Sequence, residues 1–563
     1  MAEHIWGPEI EEYSMRAFEP QISEVSNSKT EAFKRLYDVP PLAFVESSLR
    51  RCDPRVYGIG NMKIDDIIIT IGKYAMVNNF HNVFKYYYGF VTIRHLSHIT
   101  CLAALGRTRH SIDTLVARLP QNACWTDLSN LVAAEAVAIL AHTTRDVTLF
   151  DECCDSFGHF RIGGLQGARH QTLEAAYTNA VAALFWKARD SFLMLCQRGL
   201  LPGAALLLVV ALRLTPVDSN EEDALRNSMM LQDLAFRLYL VGSRQDQQVL
   251  QLACMPTIKA KIVGTYELNH LISPDDSRAI SRAYVDLLPI WRQDPSEIKG
   301  TSIYFMTALS RFVLHMLGFN PAATAQEHLD VTRTSFKILW RLFEAGGQIP
   351  VADYPVIRSY GETSLYYLGY VRNKCVSTAD EQYSFTQMLV DVQVIALAGR
   401  IMLLTLSEGN EFEVTNDITT ILETLSLLES TIKDSVDSAP ELFYDSKIEW
   451  VKILAHCVTH HQAILVNLDR GDPKLGYMAN MISTWLKFEK SLKKEDYEWQ
   501  ECAYPRCFRK LQLEVAVHYM CGQCDSVAYC NSNCQRAHWE LATSESHKLT
   551  CGRSDGQQGA TDS

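Results

Sequence analysis

Long apolar runs are missing from this sequence. The longest, Gly199 to Leu212, has 14 residues, contains Pro202 and is bracketed by Arg198 and Arg213, whereas about 20 are needed to span a bilayer. It reads as a buried helix, and no membrane association is expected. Positive charge is not in excess either: 53 Lys+Arg stand against 65 Asp+Glu, a net charge of -12, the wrong sign for a whole-chain footprint on nucleic acid or anionic lipid. Basic clusters are no larger than pairs such as Arg50-Arg51 and Lys493-Lys494, too little for a nuclear-import signal. The opening segment, MAEHIWGPEIEEYSMRAFEP, is acidic and broken by proline where an export signal needs a basic flank and an apolar run. The expectation is an intracellular, mainly cytoplasmic protein, whose 16 cysteines are thiols or metal ligands and not disulfides.

Core-forming material is plentiful. The chain has 563 residues, 47% of them hydrophobic, enough for about three or four domains or for one elongated body with a small module attached. Its dominant period is helical. After Ser273-Pro274-Asp275-Asp276, a capping pattern, apolar residues recur at Ile280, Ala283, Tyr284, Leu287, Leu288 and Trp291. The same spacing returns at Phe305, Leu309, Phe312, Val313 and Met316, ending at Gly318, and at Leu329, Phe336, Leu339, Trp340 and Phe343, ending at Gly346-Gly347. Asn416 caps a run from Ile418 to Ile432, and further helical patterns cover roughly 382–406, 440–466 and 474–490. Strand signals are few; the β-branched stretch Ile64 to Ile71 is compatible with a short strand or a buried helix. The fold class is mostly α: a helical body over 1–495, either a degenerate solenoid of the armadillo or tetratricopeptide kind or a compact bundle, without a fixed repeat period. The polar stretch Thr215 to Asp223 marks an internal boundary, and residues 552–563 read as a disordered tail.

The cysteines are unevenly spread. Nine are scattered before residue 502 and read as small buried hydrophobes, whereas seven crowd into Cys502 to Cys551. With one histidine these form four close pairs: Cys502 and Cys507, Cys521 and Cys524, Cys530 and Cys534, His547 and Cys551. A structural zinc takes four such ligands in a tetrahedron, so eight make two closed sites. A segment this short lacks the apolar mass to fold alone, and metal must supply the folding free energy. Spacing alone leaves open whether the pairs are bridged sequentially or alternately.

The segment Tyr529-Cys530-Asn531-Ser532-Asn533-Cys534-Gln535-Arg536-Ala537-His538-Trp539, followed by His547-Lys548-Leu549-Thr550-Cys551, resembles the MYND-type zinc finger. The resemblance covers 502–551. It implies alternating ligation of two Zn²⁺ per chain, Cys502, Cys507, Cys530 and Cys534 on one ion and Cys521, Cys524, His547 and Cys551 on the other. His538 is the rival to His547, with His518 behind it. Three loops are longer than the family's usual ones: Cys507 stands five residues after Cys502, a long loop joins Cys507 to Cys521, and 540–546 separate Trp539 from His547. The resemblance also implies a protein or peptide partner, with proline-containing peptides the usual ligand and Gln535 and Trp539 at the groove. The formal charge of the two-zinc module is negative, five Lys+Arg and four Asp+Glu being outweighed by seven thiolates, so no nucleic-acid partner is expected.

Catalytic motifs are thin. MYND fingers also occur in SET-domain lysine methyltransferases, the alternative reading, but here Asn269-His270 is followed by Leu271-Ile272, which is not that family's cofactor motif, and no β-rich segment is available. Gly58-Ile59-Gly60 lacks the further glycine of a dinucleotide loop, and no P-loop or G-x-S-x-G elbow appears. His456 and His460 stand one helical turn apart with no Glu between them. The expectation is a non-enzymatic, zinc-binding interaction protein.

Overall fold

The computed structural model describes most of residues 5–143, 175–253, 274–291 and 300–407, isolated positions between 426 and 485, and then 502–504, 519–521, 527–529, 532–541 and 546–551. Helices dominate. The chain forms two compact units: Met1–Ile272 with Tyr304–Phe312, and Ser273–Ile303 with Val313–Ser563.

The first unit is built around the helix Tyr87–Gly106, on which the helices Leu42–Arg50, Ile64–Val77, Arg109–Arg118, Trp125–Thr143 and Ala204–Leu214 all pack. Its described side chains are buried almost all round, polar ones included. Such polar groups must bond internally. Thr92 and Thr100 donate to the carbonyls of Tyr88 and Leu96 at 2.7 and 2.8 Å, and Ser97 donates to the Pro202 carbonyl at 2.6 Å. The last contact needs close backbone approach: Gly203 has φ +80° and lies against Cys101 and Ser97 with no room for a Cβ. The apolar run ending at Leu212 is the buried helix Ala204–Leu214. The β-branched stretch at Ile64 is helical, Ile64–Val77, with Ile67, Ile68, Ile71 and Tyr74 on its buried face. Thr215–Asp223 links two packed helices of this unit, Ala204–Leu214 and Glu222–Val241, although 215–221 lie outside the described residues; the division between units falls after Ile272 instead.

In the second unit the helix Pro274–Trp291 begins at the expected proline and buries Ile280, Tyr284 and Leu287. It packs on Ala325–Glu344, which packs on Tyr354–Cys375, which packs on Val394–Ser407. Tyr284 Oη lies 3.0 Å from Ser335 Oγ and 3.1 Å from Tyr360 Oη, joining three helices through one buried polar node. The single helix expected over 382–406 is two, Ala379–Asp391 and Val394–Ser407, bent by 52°. Gln393 takes a left-handed φ of 49°, and Trp340 Nε1 donates to the freed Val392 carbonyl at 2.6 Å. Among the described residues no single helix is long and apolar enough to cross a membrane; this bent pair passes only when its halves are taken together. The expected helices over 416–432, 440–466 and 474–490 lie almost wholly outside the described residues, as do Gly58–Gly60, Asn269-His270, the His456/His460 pair and the tail.

Candidate metal centre

The C-terminal module is assembled from short pieces. Tyr519–Met520 and Ala528–Tyr529 form an antiparallel ladder with Tyr519 opposite Tyr529, and the Cys521 amide donates to the Val527 carbonyl at 3.1 Å, closing the hairpin beside its first thiol. Two helices follow, Ser532–Trp539 and the single turn His547–Thr550, whose end is fixed by the Cys551 amide donating to the His547 carbonyl at 2.7 Å. Cys502, Cys521, Tyr529 and Cys534 make the buried cluster, with Ala503, Tyr504, Val527, Trp539 and Cys551 packed against it. Thus the module's centre is largely thiol.

Cys521, His547 and Cys551 come together: their ligand atoms all lie within 4.8 Å of one another, and the two sulfurs are 3.6 Å apart. In a tetrahedron with zinc–sulfur bonds of about 2.3 Å, two sulfurs stand about 3.8 Å apart. The donor set therefore fits zinc in chemistry and in spacing. Burial, and then the neighbouring His538 charge, lower the His547 pKa and favour the neutral, ligating imidazole. Cys524, the fourth expected ligand, lies outside the described residues. For the other expected site, Cys502 and Cys534 share the buried cluster, while Cys507 and Cys530 lie outside the described residues.

The two histidines have different surroundings. His538 is buried with its Nδ1 3.1 Å from Tyr529 Oη, and its ring stands 5.7 Å from that of His547. On the helix Ser532–Trp539, Cys534 and His538 form one inward row; Gln535 and Trp539, also one turn apart, form a neighbouring half-exposed row. Trp539 meets His547 edge to face at 6.0 Å, and its carbonyl accepts from Ser546 Oγ at 3.0 Å. That bond closes the lengthened 540–546 loop at its base, so the insertion leaves Trp539 and His547 in contact.

One pair that sequence reasoning missed resembles a catalytic dyad: Cys52 Sγ lies 3.2 Å from His95 Nε2. Burial raises the thiol's pKa far above its usual value and pulls that of His95 down to about 3. Both groups are neutral and both are sealed in the first unit's core. A thiol in that state is a packing group and not a nucleophile. No sequence signal separates such a pair from other core residues, because its members are 43 positions apart.

No curated protein and no solved structure matches the chain. The family model of the MYND finger matches residues 502–551, the segment that carries these thiols and His547. The C-terminal module is a MYND finger, a zinc-binding protein-interaction domain carried by a mostly helical chain.

Proposed function

We propose that the protein is a non-enzymatic adaptor that presents its finger to proline-containing peptide segments, with the helical body, read as a degenerate armadillo- or tetratricopeptide-like scaffold, holding further partners. The observation that carries this reading is the geometry of the helix Ser532–Trp539: one row is inward, while Gln535 and Trp539 stay half-exposed beside the His547 and Cys551 site. An indole fixed at such an edge offers a flat apolar face to a proline ring. Extended proline-containing segments cost little entropy to order. Two Zn²⁺ hold the finger in alternating fashion, one through Cys502, Cys507, Cys530 and Cys534, the other through Cys521, Cys524, His547 and Cys551. Cytoplasmic residence belongs to the same reading. The absence of a SET cofactor motif in the sequence speaks against the methyltransferase alternative.

The test is peptide binding by the full-length, zinc-replete protein, followed by fluorescence anisotropy with a labelled proline-containing peptide. So small a module buries little surface, and the dissociation constant is expected in the micromolar range or above. Trp539→Ala is expected to lose binding while both zincs remain. Undiminished binding by a zinc-replete Trp539→Ala protein places the groove elsewhere and overturns the reading.

A further inference from the structure

Three rings enclose the imidazole of His547. Those of His538, Trp539 and Tyr529 stand 5.7, 6.0 and 6.2 Å from it, the first tilted by 31° and the other two edge to face at 66°. Trp539 is half-exposed, whereas Tyr529 is fully covered and His538 is buried. The two inner rings are bonded to each other: His538 Nδ1 lies 3.1 Å from Tyr529 Oη, and the rings meet edge to face at 5.6 Å. Buried polar atoms lose stability when such a partner is removed, so the bond fixes where both rings sit.

That bond also ties together the pieces that carry the expected ligands. Tyr529 ends the strand Ala528–Tyr529 immediately before Cys530, and its partner across the ladder, Tyr519, stands two residues before Cys521. His538 lies one turn after Cys534 on the inward row of the helix Ser532–Trp539. The pair is thus next to ligands of both expected sites, Cys530 and Cys534 for one, Cys521 and His547 for the other. His538 itself stays out of the ligand cluster, which Cys521, His547 and Cys551 make. The Ser546 bond to the Trp539 carbonyl closes the 540–546 loop, and the ring contacts then orient the His547 imidazole.

We infer that His538 is a positioning residue of the metal centre: bonded to Tyr529, it holds the His547 ring and the helix of Cys534 at the spacing zinc needs, and it binds no metal itself. The inference rests on the two-zinc reading above. Groups behind the ligands orient them, and losing one typically lowers metal affinity about 10–100-fold. A ring of the same size without the nitrogen fills the space but leaves Tyr529 Oη without this partner, so the chemistry of the imidazole matters and not its bulk alone.

The test is competition for zinc against a chelator, with metal content measured on the same samples of full-length protein. His538→Phe keeps a ring in the packing and removes the bond; it is expected to hold two zincs with affinity lowered about 10–100-fold. His538→Asn puts an amide where Nδ1 stands and is expected to recover most of that loss, which a role in packing alone would not allow. Tyr529→Phe removes the other half of the bond and is expected to match His538→Phe, with the double variant no weaker than either; it serves if the histidine variants do not fold. Parental affinity in His538→Phe overturns the inference, and so does a His538→Asn protein as weak as His538→Phe. Loss of one zinc from both histidine variants, with Tyr529→Phe unaffected, makes His538 a ligand and overturns it too. A parent holding other than two zincs overturns the two-zinc reading and this inference with it, whereas two zincs in the parent with unchanged variants overturn this inference alone.

Discussion

Replacing Cys521 by serine separates the finger's stability from that of the body. Cys521 is buried, 3.6 Å from the Cys551 sulfur, and its amide closes the hairpin. A structural zinc contributes on the order of 10–16 kcal/mol to folding at neutral pH. Among its described residues the finger's apolar cluster has little to set against that loss: Tyr529 is fully buried, with Tyr504, Val527 and Trp539 partly covered, and a fully buried large side chain contributes about 1.5–3 kcal/mol. Losing one ligand is therefore expected to unfold the whole module. The finger's described helices have 8 and 4 residues, whereas those of the body reach 22, so far-ultraviolet circular dichroism should barely change. The assay is that spectrum together with zinc content and limited proteolysis of full-length Cys521→Ser. Rapid cleavage within 502–551, zinc loss and an intact helical signal are expected. A protease-resistant finger without its metal refutes the reasoning, and so does collapse of the helical signal, which would make finger and body one cooperative unit.

Other expectations follow from the body. Gly203→Ala forces a left-handed residue against Cys101 and Ser97, and chemical denaturation should show a loss of about 2–4 kcal/mol. Tyr284→Phe removes the hydroxyl that joins Ser335 and Tyr360, with an expected cost of about 1–3 kcal/mol on the same assay. Glu381 closes the capping box at Thr378; the amides of Ser377 and Thr378 hold its pKa at about 2. A depressed carboxylate stabilises above its unfolded pKa, so its contribution is full above about pH 5 and is lost as pH falls toward 2. Acid titration of Glu381→Gln against the parent should show the difference closing over that window.

Legibility from sequence followed the physics of each part. The stripe Ile280, Tyr284 and Leu287 was readable because its helix has one buried face and a polar remainder, the case in which period reports burial. Tyr87–Gly106 was not, because it is buried on every side and Thr92, Arg94, His95, Ser97, His98 and Thr100 are spread round it; no stripe exists to be seen. The break at Gln393 was hidden for another reason. Neither proline nor glycine marks it, and the Trp340 bond that accepts the freed carbonyl comes from 52 residues away. The finger was the most legible part because its pattern is set by ligand chemistry, in which residue type and spacing carry the information directly. The position of Gln535 and Trp539 beside the site needed the helix to be seen.

Zinc counting with X-ray absorption on the full-length protein bears most directly on the central claim of a MYND finger closed by eight ligands. The account predicts two zinc ions per chain, with sulfur and nitrogen neighbours in a ratio of seven to one, as the seven cysteines and His547 of the segment require. One zinc per chain, three or more, or a nitrogen share high enough to demand a second histidine would contradict it.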